Sequence, residues 1–389
     1  MAKLGEVCLI NPKSYVLGDD TEVSFVPMTK VGEHGEFNAS EIKNYAEVKK
    51  GFTNFQDGDI LFAKITPCME NGKGAIAQNM KNGIGFGSTE FHVLRPDIDK
   101  ITGEWLYYLT TWDMFRKEAE KNMTGSAGQK RVPKTFIENY AVNLPEIDIQ
   151  KSQSKILEKV DGLISVCKQQ LTKLDELVKA RFVEMFGDFE CNPKNFPIYP
   201  LCNLCDIGSS KRIYQEEQSA SGIPFLKISD LVDLIDTGTF SVSTFIPPDR
   251  YEGLCSQGLT PKINDVLITS RGTLGKCYIV RKSDKFYFQD GMISWLSNII
   301  NEKISSTYIS YLFMQPYIQK QISALQAGST VAYLSISMLK RLNIILPPLS
   351  LQNQFAAFVE EVDKQKQNVQ QRLDKLELLK KALMQEYFG

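Results

Sequence analysis

The apolar positions of this chain follow two kinds of pattern, and the longer kind occurs twice. Between Leu144-Pro-Glu-Ile-Asp-Ile-Gln150 and Phe186-Gly187, apolar residues recur at alternating spacings of four and three. Val160, Ile164, Cys167, Leu171, Leu174 and Val178 make up this seam. Between Leu346-Pro-Pro-Leu-Ser-Leu-Gln352 and Phe388-Gly389 the seam returns as Val362, Val369, Leu373, Leu376 and Leu383, interrupted by Lys366 and Lys380. Leu346 follows Leu144, and Gly389 follows Gly187, by the same 202 positions, with no gap needed between. Spacings of four and three are those of a coiled coil. Asp148 and Ser350 are suitable N-caps, prolines keep the preceding chain extended, and Gly187 and Gly389 suit a left-handed C-cap. Roughly 38 helical residues at about 1.5 Å each make a rod of about 57 Å. A rod of that length outreaches one domain, so each helix is expected to pair with its own copy.

A repeat of this period is too long for a solenoid unit and about the size of a domain. The chain therefore reads as domain, helix, domain, helix: 1–145, 146–187, 188–345 and 346–389. The two domains show shorter patterns in the same order. Leu4-Gly-Glu-Val-Cys-Leu-Ile10 is answered by 201–207, the Phe25 strand by Pro224-Phe-Leu-Lys-Ile228, and Gly58-Asp-Ile-Leu-Phe62 by Asn264-Asp-Val-Leu-Ile268. Gly85-Phe-Gly-Ser88 is answered by Phe286-Tyr-Phe-Gln-Asp290. An amphipathic helix is expected over 102–122, with Trp105, Tyr108, Leu109 and Phe115 inward, and its counterpart over 308–325. Short strands mixed with helices indicate a mixed α/β class of the α+β kind. The strands are shared between the two domains and the loops differ, which suggests one scaffold used for two related ligands.

With 389 residues and 43% hydrophobic content, two real cores are affordable, and the net charge of −1 means that any basic surface must be local. The eight cysteines are irregularly spaced and no apolar leader or membrane span opens the chain, so a reducing, cytoplasmic location is expected. Cys202 and Cys205 lack a second pair or nearby histidines and read as part of a core strand or turn, so no metal site is expected. Only two histidines exist, His34 and His92, too far apart in sequence to suggest a catalytic cluster. No Walker loop and no Asn/Asp-Pro-Pro-Tyr/Phe methylation motif occurs; Asn11-Pro-Lys-Ser-Tyr15 departs from the latter. No catalytic residue and no cofactor are therefore assigned.

The chain resembles the specificity subunits of Type I restriction-modification systems along essentially its whole length. The resemblance rests on Gly58-Asp-Ile-Leu-Phe62, Ile65-Thr-Pro-Cys-Met-Glu-Asn-Gly-Lys-Gly74 and Gly87-Ser-Thr-Glu-Phe-His-Val-Leu-Arg-Pro96 in the first domain. In the second it rests on Leu267-Ile-Thr-Ser-Arg-Gly-Thr-Leu-Gly275 and Gly328-Ser-Thr330, and between and after the domains on the doubled helices. It implies two target-recognition domains that each read one half of a split site in double-stranded DNA. It also implies a helix pair that sets the gap between the halves, and assembly with two modification subunits and with restriction subunits. S-adenosylmethionine, ATP and magnesium would belong to those partners. Antiparallel helix pairing would relate the domains by a pseudo-twofold axis, with half-site centres about 10 base pairs apart.

Base edges favour Arg, Lys, Asn and Gln, whereas phosphates favour Ser, Thr, Lys and glycine-flanked amides. The loops supply Lys64, Thr66, Asn71, Lys73, Ser88, Thr89, Ser126, Gln129, Lys130 and Arg131 in the first domain. In the second they supply Ser209, Ser210, Lys211, Arg212, Thr269, Ser270, Arg271, Thr273, Gln289, Asp290, Ser329 and Thr330. Two other readings share some of these features: a coiled-coil adaptor carrying two protein-binding domains, and a DNA-modifying enzyme in its own right. The adaptor does not account for conserved strands beneath changing basic, amide-rich loops. The enzyme lacks motifs.

Overall fold

A computed structural model describes all residues except Tyr15, Ala127 and 327–331. The chain forms two compact units, Met1–Gln169 with Gln370–Gly389, and Gln170–Val369. Each unit is built on the same plan. In the first, a four-stranded antiparallel sheet runs in the order Cys8–Ile10, Phe91–Pro96, Ile60–Ala63, Gly74–Ile76. In the second the order is Asp206–Gly208, Ile293–Ser297, Val266–Thr269, Cys277–Ile279. A second sheet in each unit centres on a parallel pair, Glu22–Val26 with Ile84–Gly87 and Ile223–Leu226 with Tyr287–Phe288. All the strand correspondences expected from the sequence are thus present in the topology.

The local chemistry explains the central strands. Ile60–Ala63 and Val266–Thr269 are buried at every position, as an unbroken apolar run should be when both faces are covered. Each is entered through a left-handed residue, Gly58 at φ +90° or Asn264 at φ +70°. The following aspartate then accepts a backbone N–H three residues back: Gln56 to Asp59 and Lys262 to Asp265, both at 2.8 Å. Asp59 goes on to take a bidentate pair from Arg95 at 2.8 Å, and Asp265 takes the Trp295 indole N–H at 2.8 Å.

Two expected helices need correction. The helix expected over 102–122 is two helices, Gly103–Thr111 and Asp113–Lys121, broken where Trp112 turns extended at ψ 130°. That turn sends the Trp112 ring toward Phe388, with centroids 6.2 Å apart. The counterpart over 308–325 is likewise split into Ser306–Phe313 and Pro316–Leu325, the proline opening the second piece. The first apolar run is one helical turn, Leu4–Val7, followed by the strand Cys8–Ile10.

The long helices are Ile147–Phe186 and Leu349–Phe388, 40 residues each. Asp148 and Ser350 are second residues of these helices rather than caps, and the aspartate there still suits the positive helix end. Gly187 takes the left-handed conformation at φ +83°. Within the first unit, Asp161 meets Lys380 at 2.6 Å and Lys168 approaches Glu377 at 3.9 Å. Within the second, Asp175 meets Lys366 at 2.5 Å and the Phe182 and Phe355 rings lie 5.2 Å apart. As one residue number rises the other falls, so the helices pair antiparallel in each unit. The seam residues Val160, Cys167, Val178, Val362, Val369 and Leu373 are buried; Ile164, Leu171, Leu174, Leu376 and Leu383 are half-buried. The two lysines that interrupt the seam each carry an ion pair to the opposing helix.

Two glutamines join these helices to the domains. Gln150 and Gln352 are both fully buried. The Gln150 amide donates to the carbonyls of Pro145 at 2.8 Å and Lys100 at 2.9 Å, and its oxygen accepts the Thr102 N–H at 2.9 Å. Gln352 repeats this with Pro347 at 2.8 Å, Lys303 at 3.0 Å and Ser305 N–H at 2.9 Å. The helix ends complete the cores: Phe388 packs on Trp105 at 4.8 Å in the first unit, and Phe186 packs on Tyr308 at 5.1 Å in the second. Gln150→Leu should destabilise the first unit by about 2–4 kcal/mol, because it strands one N–H and two carbonyls in the interior. Urea denaturation of the variant against wild type checks this; an unchanged midpoint would refute it.

Candidate nucleic-acid interface

In the first unit three loops converge next to the entry of the strand Phe91–Pro96. The Lys64 N–H donates to the Glu90 carbonyl at 2.9 Å, Val132 N–H to the Lys64 carbonyl at 2.9 Å, and Thr66 N–H to the Lys130 carbonyl at 3.1 Å. These bonds bring the 64–74, 88–90 and 124–131 loops together, so the expected residues of this unit do assemble. Asn71, Thr89, Ser126, Gln129 and Lys130 are exposed there, and Lys64, Thr66 and Ser88 are half-buried. Lys73 turns inward, its ammonium donating to the Met28 carbonyl at 3.3 Å. Thr66 donates its hydroxyl to Glu70 at 2.7 Å, and the Ser88 hydroxyl accepts the Glu90 N–H at 3.2 Å. Beneath the first loop lies Arg116, 8% exposed, whose Nη1 donates to the Met69 carbonyl at 2.6 Å. Burial lowers that guanidinium to about 10, which leaves it charged at neutral pH.

Arg131 is not free. Its Nε and Nη2 donate to the two Glu90 oxygens at 2.8 and 2.9 Å, and its Nη1 donates to the Gln129 carbonyl at 3.1 Å. The guanidinium holds the Glu90 carboxyl below the usual carboxylate range. Behind this pair His92, 4% exposed, places Nε2 at 2.8 Å from the Val132 carbonyl and Nδ1 at 3.0 Å from the Asn11 amide. A carbonyl partner requires an N–H, so Nε2 carries the proton and Nδ1 accepts.

The second unit builds the equivalent face from equivalent bonds. Ser270 N–H donates to the Met292 carbonyl at 2.9 Å and Leu334 N–H to the Ser270 carbonyl at 2.9 Å. Met292 and Leu334 lie at the repeat offset from Glu90 and Val132. Thr269 and Ser270, expected as contacts, are fully buried here: the Thr269 hydroxyl donates to the Thr273 carbonyl, and Ser270 bonds Ser294 at 2.7 Å. They shape the loop. Ser210 is buried too, its hydroxyl donating to the Phe288 carbonyl at 2.7 Å, and Ser209 donates to the Ile293 carbonyl at 3.2 Å. Arg212 pairs with Asp290 at 2.9 Å, and the Gln289 N–H donates to the Leu226 carbonyl at 2.9 Å.

Lys211, Arg212, Arg271 and Thr273 are exposed in the second unit, Arg212 within its ion pair. Arg271 lies over the Tyr333 ring, 5.9 Å from its centroid, and no carboxylate pairs with it among the described residues. Ser329 and Thr330 fall outside the described residues. Sequence reasoning missed Glu90 and Tyr333. Tyr333 lies at the repeat offset from Arg131, a signal that was available; nothing local marks Glu90 as the partner of a residue 41 positions away. Among the described residues no group of His, Cys, Asp and Glu could hold a metal ion.

Each unit thus sets paired sheets under converging polar loops, and the plan occurs twice along the chain, each copy followed by a long helix. The chain belongs to the Type I restriction modification DNA specificity domain family, whose model matches residues 1–176 and 193–378. It is 46% identical over 180 residues to the Type I restriction enzyme EcoAI specificity subunit of Escherichia coli, a match covering 44% of this chain and 30% of that protein. It is 42% identical over 181 residues to the EcoEI specificity subunit of the same organism, covering 44% of this chain and 29% of the relative. The matched stretch thus spans under a third of the length of these relatives. Among solved structures, the Type-I restriction-modification system S subunit from M. genitalium shares the fold, with a TM-score of 0.60 at 13% identity over 100% of this chain and 95% of that one.

The buried imidazole generates a pH prediction. Burial lowers His92 below its ordinary value of 6.5. The unfolded chain therefore binds a proton that the folded state refuses. The stability owed to neutral His92 is fully present above about pH 6.5 and drains away as pH falls through the folded value. Wild type should lose stability more steeply than His92→Gln between about pH 6.5 and 5. Denaturant midpoints across that range are the measurement, and parallel curves would contradict it.

Proposed function

We propose that this chain is the DNA-recognition subunit of a Type I restriction-modification complex. Each unit reads one half of a split target in double-stranded DNA, and the paired helices set the gap between the halves. Catalysis resides elsewhere: two modification subunits transfer methyl groups from S-adenosylmethionine, and restriction subunits use ATP and magnesium. A cytoplasmic location fits this reading, and no described helix is long and apolar enough to cross a membrane. The single observation that carries this reading is that one loop scaffold occurs twice, stitched by the same backbone bonds and faced with different side chains. Two related but distinct ligands are what such a pair suits. The first long helix also carries exposed Ile149, Ile156 and Leu163 at heptad spacing beside the buried seam. That row suits a partner helix and supports the modification subunits as its occupants.

The methylated motif is the readout. With modification subunits supplied, sequencing of methylated DNA should show a bipartite site, and the chain alone should methylate nothing. Inserting one heptad after Lys168 and another after Gln370 preserves the Asp161–Lys380 and Asp175–Lys366 pairs and adds about 10 Å of helix. The two half-site sequences should persist while the gap grows by about three base pairs. A folded, active insertion variant with the original gap would refute the spacing role.

Arg271 provides a finer test. If it reads a guanine edge, Arg271→Ala should cost about 1–3 kcal/mol and relax one position of the second half-site. If it holds a phosphate, binding should weaken for all sequences and the salt dependence should shrink. Unchanged affinity and salt slope in a binding titration would remove it from the interface.

A further inference from the structure

The two units present different arginines at one structural position. In the second, Arg271 stands on the loop after the central strand and bridges to Tyr333. In the first, the corresponding bridge joins Ile65 to Arg131, so the arginine has moved to the other strand. There it meets Glu90, where the second unit has Met292 in the equivalent bond to Ser270. Among the described residues Arg271 thus has an aromatic ring and no carboxylate beside it, whereas Arg131 is neutralised.

The geometry around Arg131 is that of a latch. Its backbone closes the 124–131 loop, with N–H and carbonyl both exchanged with Thr124 at 2.8 and 3.0 Å. Inside the loop Gly125 sits at φ +125°, where a Cβ would meet the Gln129 carbonyl at 2.8 Å, so the turn admits no side chain there. The Arg131 fork ties this closed loop to the 88–90 turn through both Glu90 oxygens, and its third bond fixes the Gln129 carbonyl. Planar bidentate pairing gives direction as well as attraction. To reach a guanine, Arg131 would have to abandon a carboxylate that would then face the DNA unpaired. Gln129 and Lys130, by contrast, are exposed on the loop that the latch holds.

We propose that Arg131 is a positioning residue and not a DNA contact: with Glu90 it fixes the loop that presents Gln129 and Lys130 to the first half-site. This rests on the reading of the chain as a DNA-recognition subunit. It differs from that reading in what it requires of Glu90, because a carboxylate on a DNA-facing surface should by itself weaken binding.

The test is a double-mutant cycle on the complete chain with its modification subunits. Arg131→Met, Glu90→Gln and the double variant are compared by methylated motif and by titration of site DNA. The two single variants should lower discrimination at the first half-site by similar factors, roughly 10-fold, and the double should be no worse than either. The second half-site should be read as before in all three, which shows that the chain remains folded. If Glu90→Gln binds as well as wild type or tighter while Arg131→Met loses recognition, Arg131 touches DNA and the proposal is overturned. Two silent single variants overturn it equally. A wild-type complex with no bipartite motif would instead remove the DNA-recognition reading on which it stands.

Discussion

Everything in this chain hangs on a glutamine used twice. A helix leaving a domain has its first N–H groups unpaired, and the chain just before it has carbonyls in the same condition. Gln150 and Gln352 lie fully buried at those junctions and join three backbone groups each, from two separate segments. The side-chain amide is suited to this because it donates twice and accepts through the same planar group. The result fixes the direction in which each long helix departs, and the seam depends on that direction. Phe186 and Phe388 then fix the opposite helix ends by packing on Tyr308 and Trp105.

The seam is held by two kinds of contact. Apolar side chains supply the burial, and Lys366 and Lys380 replace apolar residues at positions where each finds an aspartate on the other helix. Each lysine is part-buried, so these pairs are only partly screened, yet they add specificity of register more than net stability. A shift by one heptad would part both lysines from these aspartates. The units differ above this shared base. The first braces its polar loops with an ion pair and a neutral histidine; the second uses buried hydroxyls, Thr269 and Ser270, and an aromatic ring.

Much of this was legible in the amino-acid pattern. The constant offset exposed the doubling, the four-three spacing exposed the seam, and unbroken apolar runs located the central strands. The breaks at Trp112 and before Pro316 were harder to see. The first has no helix-breaking residue, only a ring drawn toward Phe388, a long-range contact that local periodicity does not encode. In the loops, composition identified the polar residues but not their exposure. Thr269 and Ser270 look like ligand contacts because buried hydroxyls and exposed ones share a residue type, and only the backbone around them decides. Arg131 looked free because its partner is distant in sequence.

The division of the helices between units has a consequence for the order in which the protein is made. The second unit is a continuous stretch, Gln170–Val369, whereas the first needs Gln370–Gly389 to complete it. Met384 and Phe388 belong to the core built around Leu4, Trp105 and Phe115. On a ribosome, domains ordinarily finish in the order of their synthesis. Here the first unit must wait, with an open seat beside Trp105 and Trp112, until Gln370–Gly389 emerge. The unit that starts first is completed after the second, so losing Gln370–Gly389 would leave the beginning of the chain unfinished.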